Sequence, residues 1–202
     1  MFLPNDYDKA QAYQYGNNSN RLPVGGYVCN ILNVEEKPTQ SGSMMIVVSY
    51  DVAEGEYAGF FRKRYDADKK DNPMTAKWRG TYTLFVCNKD GSTNGWFKGF
   101  IKDWEKSNNR PFVKQGEYNA QMKDTKVGII VREEEFEGRN GEILTTTKAC
   151  NSLPIEAVRL GKFELPKKRT LQSNNSSTST SSNVTASSFE TTVVDDDNDL
   201  PF

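Results

Sequence analysis

Apolar and polar positions alternate with a period of two along several stretches of the chain, the pattern of half-buried strands. Pro23 and Gly25-Gly26 turn a polar arm into the first of these, residues 27–34, where Tyr27, Cys29 and Ile31 oppose Val28, Asn30 and Leu32. Residues 45–52 are strongly β-forming, with Ile46, Val48, Tyr50 and Val52 on one face. After a turn at Glu54-Gly55-Glu56, residues 57–65 read as a third strand, making a meander. Residues 66–75 are charged, contain Pro73 and read as a loop, and residues 81–87 form a further extended run with Tyr82, Leu84 and Val86 alternating. A period of 3.6 enters only at residues 96–107. Trp96, Phe97, Phe100, Ile101 and Trp104 make one apolar helical stripe, Asn94 is the N-cap, and Asn108, Asn109 and Pro111 end the helix. Residues 109–125 read as irregular. Residues 126–136 and 142–149 flank Gly138 and Asn140-Gly141, a hairpin signal. Residues 154–160 suit one or two helical turns ended by Gly161, and after Phe163 the apolar pattern stops.

The order is three strands, an extra strand, a helix and a hairpin. With the extra strand taken as an insertion, this is a mainly β chain with the element sequence of an OB-fold β-barrel, one helix standing between strands three and four. A small α+β sheet carrying one helix has the same order.

Composition divides the chain further. From Ser173 to Ser188 the residues are almost only Ser, Thr and Asn, too polar to offset the entropy of ordering them, so a disordered C-terminal tail is expected. The layout is an arm (1–22), a folded domain (23–166), a linker (167–194) and an acidic tip (195–202). All 26 Lys and Arg lie at or before Arg169, where they meet 22 acids for a balance of +4; the five acids beyond it set the remainder at −5. A basic body and an acidic tail suit a body that meets phosphate and a tail that meets a basic protein. Cys29, Cys87 and Cys150 are far apart and the chain has no His, which argues against structural zinc and a disulfide framework. No cofactor is expected. With no signal segment and no apolar run near the length of a membrane span, a soluble intracellular protein with no membrane partner is expected.

The tail ends Asp195-Asp196-Asp197-Asn198-Asp199-Leu200-Pro201-Phe202. A purely solubilising tail has no use for an apolar end; a tethered Leu-Pro-Phe behind four carboxylates reads as a peptide offered to a basic groove with a hydrophobic pocket. A globular domain, a long polar linker and this tip together resemble bacterial and phage single-stranded DNA-binding proteins. The body resembles the phage-encoded branch in Leu22-Pro23-Val24-Gly25-Gly26-Tyr27, Glu54-Gly55-Glu56-Tyr57, Lys77-Trp78-Arg79-Gly80-Thr81-Tyr82 and Phe97-Lys98-Gly99-Phe100-Ile101. The resemblance implies an OB-fold body that coats single strands during DNA replication, recombination or repair in the cytoplasm of a bacterial host. It implies a tip, residues Asp195, Asp196, Asp197, Asp199, Leu200, Pro201 and Phe202, that recruits a recombinase, helicase, primase or polymerase. Housekeeping relatives are tetramers, but this body departs from their pattern, so monomer, dimer and tetramer stay open.

Single strands are held by cations that track phosphates and flat rings that stack on bases. One stretch supplies both: Tyr57, Phe60, Phe61, Arg62, Lys63, Arg64 and Tyr65, followed by Lys69, Lys70, Lys77, Trp78, Arg79 and Tyr82. On a strand, Phe61, Lys63 and Tyr65 share one face and Phe60, Arg62 and Arg64 the other, so either Phe60 or Phe61 faces the core. The expected DNA-binding set is Tyr57, Phe61, Arg62, Lys63, Arg64, Tyr65, Lys77, Trp78, Arg79 and Tyr82. The bland alternatives are a charged strand edge for Arg62-Lys63-Arg64 and a loop anchor for Trp78. Lys167-Lys168-Arg169 could add phosphate contacts but is better read as the start of the linker. A metal-dependent nuclease is the one enzyme class to weigh, through Asp124-Thr125-Lys126 or Glu133-Glu134-Glu135. Both patterns are better read as chance spacing and a solvated hairpin face, so no enzyme is expected. A protein–protein adaptor without DNA binding of its own is the other rival.

Overall fold

A computed structural model describes residues 21–39, 42–138 and 140–171. The arm to residue 20, the polar tract from residue 173 and the acidic tip at 195–202 lie outside the described residues. The chain divides into two units, Met1–Leu171 and Gln172–Phe202, and every described residue belongs to the first.

Five strands form one antiparallel sheet: β1 (Gly25–Pro38), β2 (Met44–Val52), β3 (Thr81–Phe85), β4 (Lys126–Glu137) and β5 (Ile143–Leu153), in the spatial order β3-β2-β1-β4-β5. Four helices interrupt them: α1 (Phe60–Asp71) between β2 and β3, α2 (Gly95–Asn108) and α3 (Tyr118–Met122) between β3 and β4, and α4 (Ile155–Arg159) after β5. The protein is mainly β, and the two end strands, β3 and β5, approach each other. Among the described residues they share no hydrogen-bonded ladder, so the sheet is not closed.

The alternation in the sequence becomes the inner face of this sheet. Ile46, Val48, Tyr50 and Val52 are all buried, as are Cys29, Ile31 and Val34 on β1, Tyr82 and Leu84 on β3, and Val127, Ile129 and Val131 on β4. A bulge between Ile31 and Asn33 shifts the β1 register, which is why the inward positions pass from Ile31 to Val34. Against this face lies the stripe of α2, with Phe97, Phe100 and Trp104 buried. Asn94 caps α2 as the sequence predicts, its side chain accepting from the Trp96 and Phe97 amides. Trp96, counted in the stripe, lies instead at the first turn and is 60% exposed. Helix α2 packs on β3, β4 and β5 and so bridges the end strands. The Tyr82 and Phe100 rings meet edge to face at 6.0 Å, and the Ser152 hydroxyl donates to Asp103 Oδ2 at 2.7 Å.

Several expectations are corrected. The third strand expected at 57–65 is not a strand: Tyr57 lies in a turn and Phe60–Asp71 is helix α1, which also takes the first part of the 66–75 loop. Residues 81–85, read as an extra strand, are the third strand of the sheet. The insertion is therefore α1 and the loop that follows it. Residues 109–125 contain α3. The shielded positions of α1 show the physical reason, because Phe61, Arg64, Tyr65 and Asp68 fall at i, i+3, i+4 and i+7. No β-branched residue occurs from Ala53 to Met74, so the strongest local preference for a strand is missing. Asn72-Pro73 stops it.

The opposite face of β1 and β4 is covered by α4 and the chain beyond it. A Cβ on Gly26 would stand 2.7 Å from the Phe163 ring, and one on Gly128 2.5 Å from a Val158 methyl. Arg169 then joins β4 as a parallel bridge, its amide donating to the Glu133 carbonyl and its carbonyl accepting from the Glu135 amide, both at 2.9 Å. Lys168 pairs with Glu135 at 2.7 Å. This segment is bound into the fold through Lys168 and Arg169 rather than starting a linker.

Candidate nucleic-acid interface

The site starts from one buried carboxylate. Helix α1 opens after Gly59, whose φ of 72° places it in the left-handed region and whose lack of a side chain leaves the helix uncapped by its own residue. Asp51, at the end of β2, supplies the cap. Its Oδ1 accepts from the Phe61 amide at 2.9 Å and from its neighbour Val52 at 2.9 Å, and its Oδ2 accepts from the Arg62 amide at 3.2 Å. A carboxylate at a helix N-terminus also meets the positive end of the helix dipole. Phe61 is thereby fixed in the core, 5.4 Å edge to face from Tyr50.

The loop after α1 is anchored just as firmly. The Gly80 carbonyl accepts from the Tyr50 amide at 2.7 Å and from the Trp78 indole N–H at 3.1 Å. Gly80 has no room for a side chain, since a Cβ there would lie 2.2 Å from the Tyr50 carbonyl oxygen. Trp78 is therefore a loop anchor, with its ring half-buried beside Phe61 and Tyr65 at 6.5 and 5.8 Å between centroids.

On that frame cations and rings alternate. The Arg62 guanidinium stands 5.6 Å over the Trp78 ring, Trp78 leans on Tyr65, and the Lys69 ammonium stands 5.8 Å over the Tyr65 ring. Helical spacing makes this row possible, because Arg62, Tyr65 and Lys69 lie at i, i+3 and i+7 on one face of α1. Beside it, Arg79 Nε lies 3.7 Å from Asp68. Burial, then the positive charge of Arg79, holds the Arg64 guanidinium below its ordinary pKa, with Asp68 opposing the shift. Two guanidiniums thus share the field of one carboxylate.

Of the ten residues expected to bind DNA, the structure gathers Arg62, Tyr65 and Trp78 in this row, with Arg64 and Arg79 next to it. Lys77 is exposed in the adjoining loop, and Lys63 is exposed with its ammonium donating to the Ala58 carbonyl at 3.0 Å. Phe61 and Tyr82 are in the hydrophobic core and offer no face to a base. Burial also pushes the Tyr82 hydroxyl pKa well up. Phe60 is half-buried, which resolves the choice between the two phenylalanines. Tyr57 belongs to a separate cleft with Tyr27, the two rings 6.0 Å apart at 87°.

Sequence reasoning passed over the outward face of β2 and β3. There Met45 pairs with Phe85, Val47 with Thr83 and Ser49 with Thr81. The alternation that buries Ile46, Val48 and Tyr50 already turns Met45, Val47 and Ser49 outward, so the signal was present. Among the described residues no His, Cys, Asp and Glu side chains are grouped to hold a metal ion. No described helix is long and apolar enough to cross a membrane. Cys29 is buried, Cys87 and Cys150 are half-buried, and all three are free thiols. No protein-family model matches the chain, and no curated protein is significantly similar to it.

Proposed function

We propose that this protein binds single-stranded DNA through α1 and the Trp78 loop, as a non-catalytic coating protein of phage-type DNA replication, recombination or repair. The observation that carries the reading is the row Arg62–Trp78–Tyr65–Lys69, in which cations and half-exposed rings alternate on one surface. Cations attract phosphates irrespective of sequence, and each ring that stacks a base contributes about 1–3 kcal/mol. We read the sheet as an OB-type barrel. Its strand order, the entry of α2 between β3 and β4, and the approach of β3 to β5 support that reading. The outward β2–β3 face with Phe85 then continues the binding surface. The tip, from Asp195 to Phe202, recruits a replication or recombination protein: its carboxylates steer it to a basic rim, and Leu200, Pro201 and Phe202 fill an apolar pocket.

The test is a titration of the full chain with oligo-dT and with duplex DNA at low and high salt, read by tryptophan quenching and by anisotropy of labelled DNA. Tight binding to the single strand, weakened by salt and by Arg62→Glu with Lys69→Glu, is the expected result. Deleting residues 200–202 should leave that affinity intact while abolishing partner capture. Failure of the full chain to bind oligo-dT at low salt would overturn the reading in favour of a protein–protein adaptor.

A further inference from the structure

A cleft of about 470 Å3 opens where the β2–α1 turn faces β1 and α4. Such a volume is within the range of small-ligand sites. Its walls carry Tyr27 and Tyr57, Val158 gives it an apolar side, and Glu54, Glu56 and Arg159 stand around it. The Tyr27 hydroxyl donates to the Pro23 carbonyl at 2.8 Å, which fixes that ring. Both rings are half-buried, so each keeps part of its surface toward the cleft.

The charges in the cleft are unequal in their commitments. Glu54 is held by Arg159 at 2.6 Å and by Lys126 at 3.2 Å. Glu56, exposed at the turn, makes no hydrogen bond or ion pair among the described residues. A phosphate is therefore disfavoured here, whereas a neutral flat ring bearing N–H donors is accommodated. The cleft also adjoins the proposed strand path. It lies at the turn that leads into α1, where the Tyr57 ring meets that of the half-buried Phe60 at 6.4 Å, two residues before Arg62.

We propose that this cleft holds one unstacked base of the bound strand and prefers guanine, with the Glu56 carboxylate accepting from its Watson–Crick edge. The inference rests on the single-strand reading above. Guanine alone presents two adjacent N–H groups on that edge, N1–H and an N2–H, which match the two oxygens of a carboxylate. Adenine and cytosine present an amino group beside an acceptor nitrogen, and thymine presents one N–H between two carbonyls. The protein is then a general single-strand binder with one selective position.

The experiment competes labelled oligo-dT from the full chain with unlabelled oligo-dT carrying one central substitution. 7-Deazaguanine keeps the Watson–Crick edge and prevents quadruplexes, and hypoxanthine keeps N1–H but lacks the amino group. Because a general binder slides, a central base can reach the cleft from either direction. The expected result is roughly fivefold tighter binding of the 7-deazaguanine oligomer than of oligo-dT, at the low end for a bidentate base contact, with hypoxanthine between them. The ratio should collapse to about one in Glu56→Gln and in Tyr57→Leu. A ratio of one in the unaltered protein, or a fivefold ratio that survives Glu56→Gln, overturns the guanine site while leaving single-strand binding standing. Failure to bind oligo-dT at all would instead overturn the reading on which the site rests.

Discussion

Asp51 shows how much of this surface depends on a single side chain. Its carboxylate is buried and accepts from the amides of Val52, Phe61 and Arg62. Replacement by Ala leaves these donors without their acceptor in a place water reaches poorly, where each such loss costs about 1–3 kcal/mol. Asp51→Ala should therefore destabilise the fold by roughly 3 kcal/mol in urea melts, and it should weaken oligo-dT binding because Arg62 and Tyr65 ride on the helix that Asp51 caps. Glu54 acts differently. Hydrogen bonds and charge from Arg159, then Lys126, hold its carboxyl down at about 2 from an ordinary 4.5. A folded-state pKa below the unfolded one stabilises the protein above the unfolded value, and that gain is lost as pH falls through the folded one. The stability difference between wild type and Glu54→Gln should be full above about pH 4.5 and gone near pH 2. The pair is solvent-exposed, so the full difference is only about 0.5–1 kcal/mol, and urea melts across that interval would check it. Neither role was legible in the sequence. Asp51 caps a helix that begins nine residues later, and Glu54 meets Arg159 only because α4 folds back beside β1.

At the scale of elements, legibility followed periodicity. Strands β1 and β2, the β4–β5 hairpin and α2 each repeat their pattern long enough to declare it. Helix α1 did not, because its aromatic residues Phe60, Phe61 and Tyr65 favour strands while only the shielded positions 61, 64, 65 and 68 keep helical spacing. The absence of β-branched residues from Ala53 to Met74 was the signal that outweighs the aromatic residues. A substitution of opposite sign in the two structures tests this. Lys63 and Ala67 are exposed on α1, and Val at both positions should cost about 1 kcal/mol together in a helix, whereas Val at an exposed strand position is neutral or stabilising. Destabilisation of Lys63→Val/Ala67→Val in urea melts supports the helix, and a gain in stability contradicts it. The misread element also explains why the candidate site was found in outline but not in geometry. The sequence places Arg62, Tyr65, Lys69 and Trp78 close together, but on a strand Arg62 and Tyr65 would lie on opposite faces; only a helix turns them to the same side.

Across the whole molecule, a positive residue is common but its pairing with a ring is not. Lys37, Lys126, Arg132, Arg159 and Lys168 are each held by a carboxylate. Lys98 and Lys102 on α2 are exposed cations as well, near the exposed Trp96 in sequence, but neither stands over an aromatic ring. Two surfaces thus offer charge. Arg110, just past α2, stands 5.9 Å over the Trp104 ring, but that ring is fully buried. Among the described residues, α1 with the Trp78 loop is where charge stands on half-exposed rings. Salt separates them, because each phosphate contact on a single strand contributes about 0.7 to the slope of log affinity against log salt. If Arg62, Lys69, Lys77 and Arg79 meet phosphates, the slope should be near −3 (about four contacts at that rate). Arg62→Gln with Lys69→Gln should make it shallower by about 1.4, two contacts' worth. Lys98→Gln with Lys102→Gln removes the same charge from α2 and should leave the slope unchanged. Since both pairs lower the net charge by the same amount, a slope that falls equally in the two variants would mean that binding follows overall charge. A fall confined to the α2 variant would move the interface to the other side of the sequence's aromatic pattern, onto Trp96. Only a fall confined to the α1 variant ties affinity to the cations that stand on Trp78 and Tyr65.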